Sequence, residues 1–115
     1  MNRSGGYGEQ LARAFLVREG FRILEMNYRF HRGEIDIIAE EGEVLAFCEV
    51  KTRTNDRYGA PELAVTALKQ RQIRKVALGY LTVRGLHDRV CRFDVVAIRL
   101  GRGAPELTLI RDAFR

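Results

Sequence analysis

The sequence predicts a mixed α/β domain, with helices packed on one sheet in the order α-β-β-β-α-β-β. Two segments carry apolar residues at helical spacing, and five shorter ones are rich in branched and aromatic residues. Gly-containing turns punctuate them. At 115 residues the chain suits one domain built on a single core.

Tyr7 to Glu19 reads as a helix, because Tyr7, Leu11, Ala14 and Phe15 recur at its period and Gly20 is placed to stop it. Phe21 to Phe30 reads as a strand. Gly33 opens a second strand, Glu34 to Ala39, and a turn centred on Glu41-Gly42 leads into a third, Val44 to Lys51, making a hairpin. Thr52 to Ala60 is a polar loop. Pro61 suits the first turn of a long helix that runs to about Val83, with Arg84-Gly85 at its end. Ile73, Val76, Ala77 and Tyr80 form its apolar stripe. Val90 to Leu100 is a strand, Gly101 to Pro105 a turn, and Glu106 to Arg111 the last strand.

Composition narrows the function classes. Apolar residues make up 46% and charged residues 30%, which argues against disorder. No apolar run approaches the ~20 residues of a membrane span, and Met1 to Gly8 lacks the apolar stretch of a secretory signal. The expectation is a cytoplasmic protein with no membrane partner. Cys48 and Cys91 lie inside apolar runs and form no Cys-x-x-Cys pair, so they are expected to be buried free thiols. The net charge of +5 raises the odds of a polyanionic partner such as nucleic acid.

The most informative stretch is Gly33-Glu34-Ile35-Asp36-Ile37-Ile38-Ala39, followed by Phe47-Cys48-Glu49-Val50-Lys51. Charged groups inside apolar strands are costly unless they are paired or bind metal. Residues two apart share a strand face, so Glu34 goes with Asp36 and Glu49 with Lys51. A turn centred on Glu41-Gly42 pairs Ala39 with Val44, which sets Asp36 opposite Phe47 and Glu34 opposite Glu49. All four charged residues then share one face, with Asp36 and Glu49 diagonal neighbours roughly 7–8 Å apart at the backbone. A slip of one residue would separate them. Crowded carboxylates need protons or a divalent cation, and an oxygen-only ligand set suits Mg²⁺ or Mn²⁺. Metal-assisted phosphodiester hydrolysis uses such a set with a nearby lysine. The pattern Asp-x(12)-Glu-x-Lys is also met by a hairpin with solvated carboxylates, and taken alone it favours that plainer reading.

GEIDIIA, a Gly turn and FCEVKTR resemble the central signature of the YraN family, in the PD-(D/E)XK nuclease superfamily. Tyr7-Gly8-Glu9 with Ala12 resembles its opening helix and AVTALKQRQIRKVALGYL its long helix. RFDVVAI resembles its penultimate strand, and Ala113-Phe114 its ending. The resemblance covers essentially the whole chain in order. It departs from the superfamily's PD motif at Ile35, which stands where that motif has Pro. It implies a restriction-endonuclease-like mixed sheet flanked by helices. It further implies an Mg²⁺- or Mn²⁺-dependent endonuclease acting on DNA, branched or flapped forms among its substrates. Asp36 and Glu49 take the metal-ligand positions and Lys51 that of the catalytic lysine. Glu9, at the edge of the stripe of Ala12 and Leu16, resembles the extra metal ligand that several superfamily members, archaeal Holliday-junction resolvases included, carry on their first helix. The helix dipole is its alternative explanation.

Lys69 precedes Ile73, Val76 and Tyr80 on the buried stripe. It is either a snorkelling lysine or a cation aimed at the carboxylates or a phosphate, and the second reading, supported by related nucleases, places it in catalysis and nucleic-acid binding. Arg53 and Arg57, just after Lys51, are placed to hold a nucleic-acid backbone. Arg71, Arg74 and Lys75 form a solvated face or a phosphate-tracking patch. His31 receives no role, and Asp94 reads as an edge or structural carboxylate. The alternative to an enzyme is a non-catalytic nucleic-acid-binding module that keeps the fold, and beyond that a protein-interaction scaffold. DNA is favoured over RNA, and the oligomeric state stays open, a homodimer included.

Overall fold

Residues 6–54 and 65–115 are described by a computed structural model. The elements are α1 (Tyr7–Arg18), β1 (Arg22–Phe30), β2 (Gly33–Glu41), β3 (Val44–Arg53), α2 (Ala67–Arg84), β4 (Cys91–Arg99) and β5 (Glu106–Phe114). The expected α-β-β-β-α-β-β order holds. The strands form one sheet in sequential order, β1 to β5. Neighbours are antiparallel except β3 and β4, which run parallel. That exception follows from α2, since a parallel pair needs a long crossover connection.

The two helices cover opposite faces. Ala12 and Leu16 of α1 pack with Phe21, Ile37, Ala39, Ala46, Cys48, Val96 and Ile98. Ile73, Val76, Ala77 and Tyr80 of α2 pack with Ile35, Ile38, Leu45, Phe47 and Val95. The stripe read for the long helix is thus the buried one. On α1 the expectation was only partly right. Ala12 and Leu16 are buried and Leu11 and Phe15 half-buried, whereas Tyr7 and Ala14 face solvent.

Several boundaries differ from expectation. Strands β2 and β3 each run two residues past their expected ends, the latter into the expected loop, and β5 reaches Phe114 and not Arg111. Two further differences bear on the site. Helix α2 begins at Ala67 and not at Pro61, because Thr66 is its N-cap and accepts a hydrogen bond from the Lys69 N–H at 3.2 Å. Pro61 itself lies outside the described residues. The β2–β3 turn is Gly42-Glu43, one residue later than expected, so Glu41 pairs with Val44. The reason is local: Gly42 has φ +59, a conformation cheap only for glycine at the first position of a two-residue loop. The register therefore moves by two residues. An even shift alone would leave every side chain on its expected face. Strand β2 loses its alternation at Asp36, however, so Glu34 ends on the α1 side with Glu9 and Glu49 on the α2 side with Lys69. The four charged residues do not share one face as expected.

Close approach of α2 to the β1–β2 turn explains a glycine inside the helix. A Cβ at Gly79 would sit 2.6 Å from the Phe30 ring, and one at Gly33 would sit 2.5 Å from Val76 Cγ2. On β4, where it pairs with Cys48, fully buried Asp94 accepts from Arg92 Nε (2.8 Å), Arg92 Nη2 (2.9 Å) and the Asp112 N–H (3.0 Å). Arg92 and Arg111 also donate to Glu41, whose carboxyl is pushed down to about 2, chiefly by the Arg111 hydrogen bond. Asp94 is thus the structural carboxylate, tying β4 to β5 and, through Arg92, to β2.

Candidate functional site

The β2–β3 ladder runs from Glu41–Val44 to Ile37–Cys48 and ends there. Strand β2 continues paired with β1 down to Gly33, and β3 continues paired with β4 to Arg53. The sheet therefore forks at the point where Asp36 and Glu49 stand. Within the fork the Val50 N–H donates to Asp36 Oδ2 at 2.8 Å, a side-chain bond where a backbone ladder bond would otherwise form.

The strand is also kinked here. Ile35 packs beneath α2, yet Ile37, two residues on, packs beneath α1. Strict alternation would put both on one face. On β1, Asn27 lies between Met26 and Tyr28, whose partners are Ile37 and Ile35, and it has φ +51. The slip at Asp36 thus faces a left-handed residue on the neighbouring strand.

On the α1 side of the fork, Glu9, Glu34 and Asp36 each bring one carboxylate oxygen within 4.8 Å of the others. Asn27 Nδ2 donates to Glu9 Oε2 at 3.0 Å and to Glu34 Oε2 at 2.7 Å, while Arg29 Nη2 lies 3.4 Å from Glu34 Oε1. Burial raises the Glu9 carboxyl above its ordinary range, with Asp36 and Glu34 adding to the effect against the lowering hydrogen bond from Asn27.

On the α2 side, Glu49 is only 5% exposed. Its Oε2 lies 3.7 Å from Lys69 Nζ and 3.9 Å from Lys51 Nζ, and its Oε1 is buried with no hydrogen-bond partner. Asp36 links the two sides. Its carboxyl is pushed up to about 7, first by burial and then by the charge of Glu49. The Asp36 and Glu49 carboxyls can hydrogen-bond to each other only by sharing a proton, since two ionised carboxylates have none between them.

Of the residues singled out from sequence, Asp36, Glu49, Lys51 and Lys69 converge on the fork, and Glu9 reaches it through Asp36. Glu49 is outside the three-carboxylate group formed by Glu9, Glu34 and Asp36. Arg53 ends β3 and is half-buried, whereas Arg57 lies outside the described residues. Arg71 and Lys75 are exposed, and Arg74 donates to the Arg115 carbonyl at 2.6 Å. Cys48 is buried and Cys91 half-buried, both free thiols. Sequence reasoning gave no role to Glu34, although its spacing from Asp36 placed it on the right face, and it passed over Asn27 entirely. An Asn in a run of strand formers was the available signal, since Asn tolerates the left-handed region better than its neighbours do.

The donor set fits a hard divalent cation. Every candidate ligand is an oxygen, three carboxylates crowd together, and a buried carboxylate oxygen has no partner. No helix among the described residues is long and apolar enough to cross a membrane.

The model of an uncharacterised protein family, UPF0102, matches residues 8–98. A UPF0102 protein of Syntrophus aciditrophicus is 50% identical over 112 residues, covering 97% of this chain and 88% of its own. One from Geobacter sulfurreducens is 50% identical over 111 residues, covering 96% and 87%. One from Symbiobacterium thermophilum is 50% identical over 113 residues, covering 97% and 96%. With a forked five-stranded mixed sheet between two helices and this likeness along nearly its whole length, the chain belongs to the UPF0102 (YraN) family.

Proposed function

We propose that this protein is a metal-dependent endonuclease that hydrolyses phosphodiester bonds in DNA, branched or flapped forms included, with Mg²⁺ or Mn²⁺ as its cofactor. The observation that carries this reading is Glu49, buried with one oxygen between two lysines and the other without a partner. Asp94 is the contrast within the same sheet: buried too, but with its oxygens met by Arg92 and a backbone N–H. A carboxylate kept only for structure is expected to look like Asp94.

Asp36, Glu49 and Glu9 would hold the ion, with Glu34 beside them. When bound, the cation supplies Lewis acidity toward the phosphate. Lys51 extends from β3 beside Glu49, where its ammonium can orient an attacking water and offset negative charge developing on the phosphoryl oxygens. Lys69, near the N-terminus of α2, adds a second cation close to the same Glu49 oxygen. Arg53 and Arg57 would hold the nucleic-acid backbone alongside.

The test is a panel of labelled linear, flapped and branched DNA and matching RNA, incubated with Mg²⁺ or Mn²⁺ beside Asp36→Ala. Cation-dependent cleavage of DNA by the wild type, absent in the variant, is the expected result. Salt-dependent binding without cleavage would mark a non-catalytic module, and cleavage by Asp36→Ala would remove Asp36 from the site.

A further inference from the structure

We propose that Asn27 is a positioning residue of this site. Its amide clasps the helix carboxylate Glu9 to the strand carboxylate Glu34, and so sets the spacing at which the site takes a divalent cation. The inference rests on the metal-dependent reading above and extends it to a residue that touches none of the reacting groups.

The clasp uses up the donor end of the amide. An Asn side chain has two N–H donors, and here Nδ2 meets Glu9 Oε2 at 3.0 Å and Glu34 Oε2 at 2.7 Å. The opposite orientation of the amide would press Oδ1 against two carboxylates, so the network fixes which way it points. Oδ1 itself is buried with no partner. The side chain is aimed by its backbone: at φ +51, Asn27 takes a conformation that costs most residues more than it costs Asn. Its chain neighbours pair with Ile35 and Ile37, the residues on either side of Asp36.

The choice of a neutral donor is informative. A lysine or arginine between Glu9 and Glu34 would also draw them together, but it would cancel the charge a cation needs and compete for the same oxygens. An amide holds the two carboxylates in place without setting a cation between them, and the Arg29 guanidinium meets Glu34 at its other oxygen, Oε1, 3.4 Å away. Eighteen residues separate Glu9 from Asn27, so the bond ties α1 to the sheet at the fork itself. Partners that orient ligands in this way typically contribute about 10–100-fold in metal affinity.

Asn27→Gly is the suitable variant, because glycine adopts a positive φ freely and only the amide is lost. Calorimetric titration with Mn²⁺ alone is expected to show affinity weakened by about 10–100-fold, in a metal-free protein that stays folded but melts somewhat lower, since two hydrogen bonds to carboxylates are lost. A second background excludes a merely structural loss. In Glu9→Gln/Glu34→Gln protein the same Asn27→Gly change should weaken Mn²⁺ binding by less than about threefold, since coupled residues are non-additive. Equal Mn²⁺ affinity of wild type and Asn27→Gly would overturn the clasp and leave the metal-dependent reading standing. An undiminished loss in the Gln background would also overturn it. A wild type that takes up no Mn²⁺ would overturn the metal-dependent reading, and the clasp with it.

Discussion

Asp36 and Asp94 are both aspartates set in apolar strands, read from sequence as a metal-ligand candidate and as an edge or structural carboxylate. Their surroundings differ in sign. Asp94 receives Arg92 and a backbone N–H, so its charge is stabilised where it stands. Asp36 receives one backbone N–H and faces Glu49, and its carboxyl is pushed up to about 7. Replacing Asp94 with Ala should therefore cost about 3 kcal/mol of stability, because a half-buried Arg92 loses its principal partner. Urea denaturation measures that cost. Replacing Asp36 with Asn should do the reverse in the metal-free protein. A folded-state pKa above the unfolded one confers stability that is full below the unfolded value and is lost as pH rises through the folded one. The wild type therefore loses stability between about pH 4 and pH 7 through this group, and Asp36→Asn does not. The variant is expected to be more stable by roughly 1–4 kcal/mol at pH 8 and to show no advantage near pH 4. A gain that persists undiminished at pH 4 would contradict this assignment of the charge.

At the scale of elements, the order of helices and strands was legible because their apolar periods are clean. The stripe of Ile73, Val76, Ala77 and Tyr80 is the buried face of α2, as its spacing indicates. The turn was misplaced by one residue because Glu41-Gly42 and Gly42-Glu43 are equally good on composition, and only φ +59 at Gly42 decides between them. The two-residue shift alone would have preserved the faces, but the slip at Asp36 divides Glu34 from Glu49. The carboxylates meet only because Asp36 stands at the fork between them. The fork was not legible, since nothing in the pattern of β2 says that its pairing with β3 stops at Ile37. The start of α2 was obscured by Pro61, a good first-turn residue that competes on paper with the N-cap Thr66. That cap supports the turn carrying Lys69, so Thr66→Ala should lower stability by about 1 kcal/mol, with Thr66→Ser restoring most of it. Chemical denaturation of the three proteins checks the order, and an unaffected Thr66→Ala would mean the cap contributes nothing to α2.

For the whole molecule, net charge is +5, enough to make contact with phosphates sensitive to salt. The affinity for DNA should fall steeply as salt rises, and Arg53→Ala with Arg57→Ala should flatten that slope, each phosphate contact contributing about 0.9 to it on duplex DNA. An unchanged slope would move the contact surface to the outer face of α2, where Arg71 and Lys75 are exposed. The Arg92–Asp94–Glu41–Arg111 network was invisible in the sequence because it joins residues up to 70 positions apart, with no periodic signal to announce it. Glu34 and Asn27 escaped for a similar reason: their roles depend on a helix carboxylate brought in from residue 9.

In the function proposed above, the fork holds a divalent cation at some cost to the metal-free fold. Thermal melting of wild type and Asp36→Asn with and without millimolar Mn²⁺ tests it most directly. A ligand that binds only the folded state stabilises it by RT ln(1 + [L]/Kd), about 2.7 kcal/mol at a hundredfold excess over Kd. The wild type should melt several degrees higher with Mn²⁺. The variant should melt at or above the wild-type temperature without the ion and gain nothing from it. A wild type indifferent to Mn²⁺ and Mg²⁺ alike, or an Asp36→Asn that melts lower without metal, would contradict that role of the fork.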